Sequence, residues 1–415
     1  MKTVFVVGAG STAFLDIPTS AMQNKLLSNF GEIATESGKT DAGEDLKRKF
    51  RIIMDGTFGK GNYTVNDVYN ILDSNLLLHN ALQYGETKIE SYELEKCKRE
   101  IIAFFFSEIL EKIKESVGGD GHRKLVSFYR SLAEAELERK VHTDVSHREN
   151  FISSYSIINF NWDLYSLLPI IEAHDELNHI NDRYLPVGRN PQLRIFTDFN
   201  CEYASAESGS GLWYPFTESA AFIANSEKYD TKRRILLVKC FFPHGSMNLF
   251  KCSSCAKHSY YLGDLTVKGV ADALDHQNAR FPYKCPYCNA KINTSDFDVL
   301  AQSNFKVRNS FLEETRLSMM KELRDATRLV FIGYSMPNDD TDYITMFKSL
   351  YKSVKEVFVV SYAKGATNDF LSYEKLPESK EKDGLKNFDS VFKEKARYNM
   401  AGFPQAVDKI LRVCR

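Results

Sequence analysis

The chain has 415 residues, of which 43% are hydrophobic and 26% charged, with a formal net charge of −1. That length can bury a large core in one domain with insertions or in two domains, and the composition is ordinary for a soluble globular protein. The near-neutral balance, with Lys and Arg spread along the chain, argues against a dedicated nucleic-acid binder, and no apolar run reaches the length of a membrane span.

Met1-Lys2-Thr3 runs straight into the strand-like Val4-Phe5-Val6-Val7, which does not read as a signal peptide, so the cytoplasm is the expected compartment. A first strand is predicted over residues 3–7, followed at once by a glycine turn. Residues 19–30 read as a helix and 31–43 as a loop. Residues 44–148 read as a helical insertion, with apolar residues three and four apart at 67–72 and 100–117. The second of these helices is expected to end at Gly118-Gly119-Asp120-Gly121, with another helix over 123–139. Strand signals return at 155–160 and 234–242. Between them lie a predicted helix at 165–173 and an irregular loop at 182–216. Residues 251–293 form a compact cysteine module. An amphipathic helix at 311–326 leads to a buried strand at 328–332, a helix at 340–352 and a strand at 357–361; residues 364–386 read as a mobile loop.

Apolar strands without alternation, separated by helices, predict an α/β fold: a Rossmann-like parallel sheet with helices on both faces. Residues 1–43, 149–250 and 294–415 are assigned to that domain. The helical insertion at 44–148 and a small four-cysteine zinc module at 251–293 complete the expected organisation.

Five motifs carry candidate chemistry. Gly8-x-Gly10-x-x-Ala13 follows a strand and precedes a predicted helix, the setting of a dinucleotide fingerprint. There, glycines let the backbone approach a diphosphate and a helix N-terminus stabilises its charge. A hydride-transferring enzyme would also carry an acidic residue at the end of its second strand. Glu32 is at about that distance but not at a strand end, which weakens the hydride-transfer reading. Asn159-Phe160-Asn161-Trp162-Asp163 ends an apolar strand, where open α/β sheets place their ligands. Asn161 and Asp163 share one face of an extended chain, although Asp163 could equally cap a helix beginning at Leu164.

His244-Gly245 closes another apolar strand, and histidine is the side chain suited to take a proton near neutral pH. Of eight cysteines, four form the pairs Cys252/Cys255 and Cys285/Cys288, while Cys97, Cys201, Cys240 and Cys414 are scattered. In a reducing compartment this pattern indicates a closed, tetrahedral, structural zinc site and not a disulfide framework. Gly333-Tyr334-Ser335 follows a buried strand and could meet phosphate or ribose. A turn and helix N-cap near Thr341 is a compatible structural reading.

In this order the motifs resemble the sirtuin family. Gly8-Ala9-Gly10, Thr12 and Ile17-Pro18 are similar to its opening G-A-G-x-S and I-P. Asn161 and Asp163 match its T-Q-N-I-D, His244-Gly245 its H-G, the four paired cysteines its zinc ligands, and Gly333 and Ser335 its G-x-S. The resemblance spans about residues 1–20 and 155–365. Protein-deacylating members carry D-F-R where this chain has Thr19-Ser20-Ala21, and Gln where it has Phe160. They also carry an F-G-E segment that is missing between Asn289 and Ser310.

With its insertion and its Gly333-to-Asp340 run, the chain looks instead like the divergent bacterial branch whose members hydrolyse NAD as antiphage effectors. There it resembles a stand-alone subunit paired with a HerA-type hexameric ATPase. The resemblance implies that NAD+ is a substrate, cleaved by water into nicotinamide and ADP-ribose. It implies roles for Asp163 at the nicotinamide amide, for Asn161 at the ribose and the attacking water, and for His244 as general base. Gly8, Ala9, Gly10 and Thr12 would hold the diphosphate, with Ser11 and Pro18 beside them, and Gly333, Tyr334 and Ser335 would lie on the adenosine side. Such an activity needs restraint, so a homo-oligomer with the insertion as its interface is expected. An NAD-dependent protein-lysine deacylase and a non-enzymatic NAD or ADP-ribose sensor are the alternatives.

Overall fold

Thr3–Val7 offers no polar face and is buried along its whole length, as a strand sandwiched between two helical layers must be. The computed structural model of the protein describes residues 1–18, 20–27, 42–140, 148–184, 192–202, 204–206, 217–225, 233–275, 283–293, 296–300, 303, 305 and 308–414. The strands among them are β1 (Thr3–Val7), β2 (Leu82–Tyr84), β3 (Thr87–Ile89), β4 (Ile152–Asn159), β5 (Gln192–Asp198), β6 (Ala204–Ala206), β7 (Arg233–Phe241), β8 (Gly245–Lys251), β9 (His258–Gly263), β10 (Phe297–Val299), β11 (Arg328–Ile332), β12 (Glu356–Val360) and β13 (Ala396–Asn399).

Seven of these form one sheet in the order β13-β12-β11-β1-β4-β7-β5, and every neighbouring pair is parallel. The fold is therefore α/β with a parallel sheet, as the unalternating strands predict. On one side of β1 the chain lays down β4, then β5 at the edge, then β7 between the two, and it returns on the other side through β11, β12 and β13. That reversal beside β1 opens a crevice at the carboxyl ends of the strands. The register aligns those ends: Val7 pairs with both Asn159 and Ile332, Ile332 with Val360, and Val360 with Asn399.

Alternate residues of β1 enter opposite apolar layers. Val4 and Val6 pack with Phe331, Met319, Leu323 and Phe347, under helices Ser310–Arg324 and Thr341–Ser349. Phe5 and Val7 face the other layer, where the Phe5 ring meets Phe128 and Tyr155 edge-on, each at 6.1 Å. A second sheet, β10-β8-β9-β6, carries the cysteine module, and β2 and β3 form a separate hairpin.

Several expectations need correction. The loop expected at 182–216 contains β5 and β6 among its described residues. β5 bonds only to β7 at the edge of the sheet, so it lacks the wholly apolar signature of a central strand. The insertion is not wholly helical: the β2–β3 hairpin separates helix Val65–Leu78 from Leu94–Ser116. The loop expected at 364–386 holds the short helices Tyr373–Lys375 and Lys380–Asp383, with Lys382 buried and donating to Leu376 O at 3.3 Å. The helix expected at 19–30 is observed as Ser20–Leu26, with residues 19 and 28–30 outside the described residues. Glu32, and the expected loop save 42 and 43, also lie outside them. No helix among the described residues is long and apolar enough to cross a membrane.

Candidate active site

The loops after β1 and β11 interlock backbone against backbone. Gly8 N donates to Ile332 O at 3.0 Å and Gly10 N to Gly333 O at 2.9 Å. A Cβ on Gly8 would lie 2.5 Å from Tyr334 Cα, and Gly333, at φ +62°, would place one 2.1 Å from Ser11 N. The glycines thus serve loop-on-loop packing. The helix expected beyond this turn starts at Ser20, not at the glycines themselves. Two 3-10 turns, Ala9–Ser11 and Ala13–Leu15, lead to Asp16 in the left-handed region at φ 57°. Pro18 then supplies no N–H for a helix to continue through.

The end of β4 is stapled by its own last side chain. Asn159 Oδ1 accepts from Asn161 N at 2.9 Å, and its Nδ2 donates to Ser166 O at 3.1 Å. Asn161 Nδ2 donates to Ser11 Oγ at 3.4 Å, and Asp163 Oδ2 accepts from Thr12 Oγ1 at 3.3 Å. Asp163 is the N-cap residue of the turn Leu164–Ser166 without a well-formed side-chain capping bond, while the N–H groups of Tyr165 and Ser166 pull its carboxyl down. Asn161 and Asp163 are both 4% exposed, and the Oδ1 atom of each has no hydrogen-bond partner. Burial pushes the Asp163 carboxyl up to about 6, against the opposing pull of the Thr12 hydroxyl.

His244 ends the turn after β7. Gly245, at φ +73°, turns the chain into β8 where a Cβ would lie 2.2 Å from Asp298 O. The imidazole sits edge-on to Phe160 at 4.9 Å and to Tyr343 at 5.4 Å, and its Nε2 is 3.3 Å from Asp340 Oδ1.

These loops enclose a cavity of about 950 Å³ at the reversal point of the sheet. Gly8, Ala9, Gly10, Pro18, Asn161, Asp163, His244, Gly333, Tyr334 and Ser335 all line it, so the structure brings these predicted residues together. Ser11 and Thr12 do not line it; they stand behind, bonded to Asn161 and Asp163. Sequence reasoning missed Gln23, Ile109, Trp162, Asp340, Tyr362 and Phe403 in the lining. A strand predicted over 396–399 would have signalled Gly402 and Phe403, which lie just beyond β13. The volume suits a ligand of nucleotide size. Among the described residues, Asp163, Asp339 and Asp340 line the cavity and no Lys or Arg does. The N–H groups of Gly8, Gly10 and Gly333 donate to Ile332 O, Gly333 O and Val360 O within the fold, and a cationic group in the cavity would be met by carboxylates.

The four paired cysteines also converge. Their sulfurs all lie within 4.8 Å of one another, with Cys252–Cys288 and Cys255–Cys285 each at 3.6 Å. A tetrahedron with zinc–sulfur bonds of 2.3 Å has edges of about 3.8 Å, so the residues fit a metal with no open position. Each pair sits on the same turn. Ala256 N donates to Cys252 O and Asn289 N to Cys285 O, both at 2.8 Å, and Ala256 and Asn289 are left-handed at φ 59° and 62°. β8 runs from Gly245, beside His244, to Lys251, beside Cys252. A strand of that length separates the metal site from the imidazole by about 20 Å.

No family model matches the chain, and no curated protein matches it. Among solved structures it is similar to a Sir2 homolog–NAD complex at 13% identity, covering 99% of this chain and 88% of that one, with a TM-score of 0.36. It is similar also to Sir2Tm bound to a propionylated peptide, at 12% identity, 99% and 91% coverage and a TM-score of 0.32. Likeness at these TM-scores is too distant to decide activity.

Proposed function

We propose that the chain is an NAD+ glycohydrolase that cleaves the nicotinamide–ribose bond with water to give nicotinamide and ADP-ribose. The observation that carries this reading is the convergence of Asn161, Asp163 and His244 on one nucleotide-sized cavity at the sheet's reversal point. The Asp163 Oδ1 atom, buried and without a partner, suits an amide N–H of the nicotinamide. The Asn161 Oδ1 atom suits a ribose hydroxyl or the attacking water. Both side chains are already oriented by Ser11 and Thr12, so little ordering remains when substrate binds. The acidic lining, with no Lys or Arg among the described residues, suits the cationic pyridinium and the oxocarbenium-like transition state. His244 accepts the proton, and the diphosphate lies against the side-chain-free loops of Gly8, Gly10 and Gly333 that line the cavity. The metal is proposed to be zinc, held by Cys252, Cys255, Cys285 and Cys288 in a structural role. From the sequence resemblance, the proposal extends to NAD depletion as an antiviral effector, with a homo-oligomer or a HerA-type ATPase partner as the restraint.

The test is NAD+ consumption by the purified chain, with chromatography of the products and His244→Ala as control. Nicotinamide and ADP-ribose formed without any peptide, and absent in the variant, would support the hydrolase. Turnover only when an acyl-lysine peptide is added would replace it with a deacylase. Binding of ADP-ribose without turnover would point to a sensor.

A further inference from the structure

Asp340 occupies the N-cap of helix Thr341–Ser349, where an Asp side chain ordinarily accepts from a backbone N–H two or three residues on. It makes no such bond. Its carboxylate, 2% exposed, is turned the other way: Oδ2 accepts from the Tyr334 hydroxyl at 2.6 Å, and Oδ1 lies 3.3 Å from His244 Nε2. The loop that delivers it is strained. Met336 is fully buried at φ +52°, in a left-handed conformation that bulky side chains rarely adopt. Asn387 Nδ2 holds the loop there, donating to Met336 O at 2.8 Å and to Asn338 Oδ1 at 3.1 Å. A buried carboxylate withdrawn from capping, on a loop kept in a costly conformation, indicates a function for its placement.

We propose that Asp340, held by Tyr334, is a positioning residue for His244. From its ion-pair contact at 3.3 Å, the carboxylate draws the proton of the imidazole to Nε2, favours the tautomer in which Nδ1 carries the free lone pair, and stabilises the imidazolium formed when Nδ1 accepts a proton. This rests on the hydrolase reading for its chemistry. The water oxygen bonds to ribose C1′ as the C1′–nitrogen bond breaks. Nicotinamide leaves neutral with the bonding pair, and the proton lost by water passes to Nδ1 and then to solvent.

The groups facing the imidazole are Asp340 and Tyr343 from one helix and the uncharged Phe160 from the loop after β4. Tyr334 lies behind the carboxylate, Arg308 sits over the Tyr343 ring at 5.3 Å, and Asp163 and Asp339 share the cavity. Burial and the neighbouring Asp340 hold the Tyr334 phenol well above its ordinary value, so it remains a donor throughout the working range.

The experiment is an NMR titration of the His244 imidazole, assigned by its loss in His244→Gln, in the native chain and in Asp340→Asn. NAD+ turnover is measured against pH on the same proteins. Asp340→Asn is expected to lower the imidazole pKa by about one unit. It should move the acid limb of kcat in the same direction and reduce kcat by about tenfold to a hundredfold, with a smaller change in KM. If Asp340→Asn does not fold, Tyr334→Phe, which removes only the hydroxyl on the carboxylate, must displace the same resonance. An imidazole titration unmoved by either substitution overturns the proposal. A displaced titration in a chain that cleaves no NAD+ keeps the Asp340–His244 pair and sinks the hydrolase reading instead.

Discussion

Thr12 donates its hydroxyl to Asp163 Oδ2 across 3.3 Å, which ties the loop after β1 to the loop after β4. The bond lowers the Asp163 carboxyl while burial raises it. Thr12→Val keeps the shape and removes the donor. The carboxyl should then titrate above its present value of about 6, and the pH at which NAD+ cleavage declines should rise with it. The cost in stability should be about 1 kcal/mol. A pH–rate profile of Thr12→Val that overlays the native one would show that this bond does not set the state of Asp163.

Asp163 itself sets activity against stability. Its folded value of about 6 lies above the ordinary 3.8, so the folded chain holds this proton more tightly than the unfolded chain. Stability therefore falls as pH rises from about 4 to about 6, while the ionised form needed to accept an amide N–H becomes populated. The displacement corresponds to about 3 kcal/mol. Asp163→Asn should abolish NAD+ cleavage, raise the urea midpoint at pH 8 and lose that advantage at pH 4. A midpoint at pH 8 equal to or below the native one would mean that the buried charge is not a burden on the fold.

The elements that frame this site were largely legible because apolar strands end in chemistry-bearing residues. Val7, Asn159, Phe241 and Ile332 each close a run that reads as a strand, and Gly8, Asn161, His244 and Gly333 stand just beyond. The paired cysteine spacing was equally direct. β13 escaped because four residues, Ala396–Asn399, make too short a run to stand out. The role of Asp340 escaped because an Asp before a helix reads as a cap, and only the geometry turns its carboxylate toward His244. The placement of Ser11 and Thr12 behind the site depends on partners 150 and 151 residues away, which local pattern cannot supply.

His174 should dominate one part of the acid response. It is fully buried on helix Leu168–Tyr184, with Nδ1 3.0 Å from Thr197 Oγ1, and burial holds it down to about 3 from an ordinary 6.5. The unfolded chain takes up this proton below 6.5 and the folded chain does not. Stability is thus complete above 6.5 and falls as pH drops toward 3. Between pH 7 and pH 5 this one group should remove about 2 kcal/mol. His174→Gln keeps a polar partner for Thr197 and should flatten that loss, measured as urea midpoints at the two pH values against the native chain. Asp163 acts in the opposite sense over the same window, but it is common to both proteins and cancels. An equal loss in His174→Gln would show that the imidazole becomes protonated inside the fold.

Removal of the metal separates structure from chemistry. With Cys252 and Cys285 buried and the sulfurs in each facing pair 3.6 Å apart, four thiolates without a cation would repel at close quarters. The two turns that carry them also hold Ala256 and Asn289 in left-handed backbone, which a bound metal would offset. Elemental analysis should find one metal ion per chain, lost in Cys285→Ser, with zinc as the expected ion. Chelation should lower the melting temperature by several degrees. Because four sulfurs leave no open position and the site stands a strand length from His244, exchange of zinc for cobalt should leave kcat unchanged. A kcat that followed the identity of the metal would place it in the reaction and overturn its assignment as a structural ion.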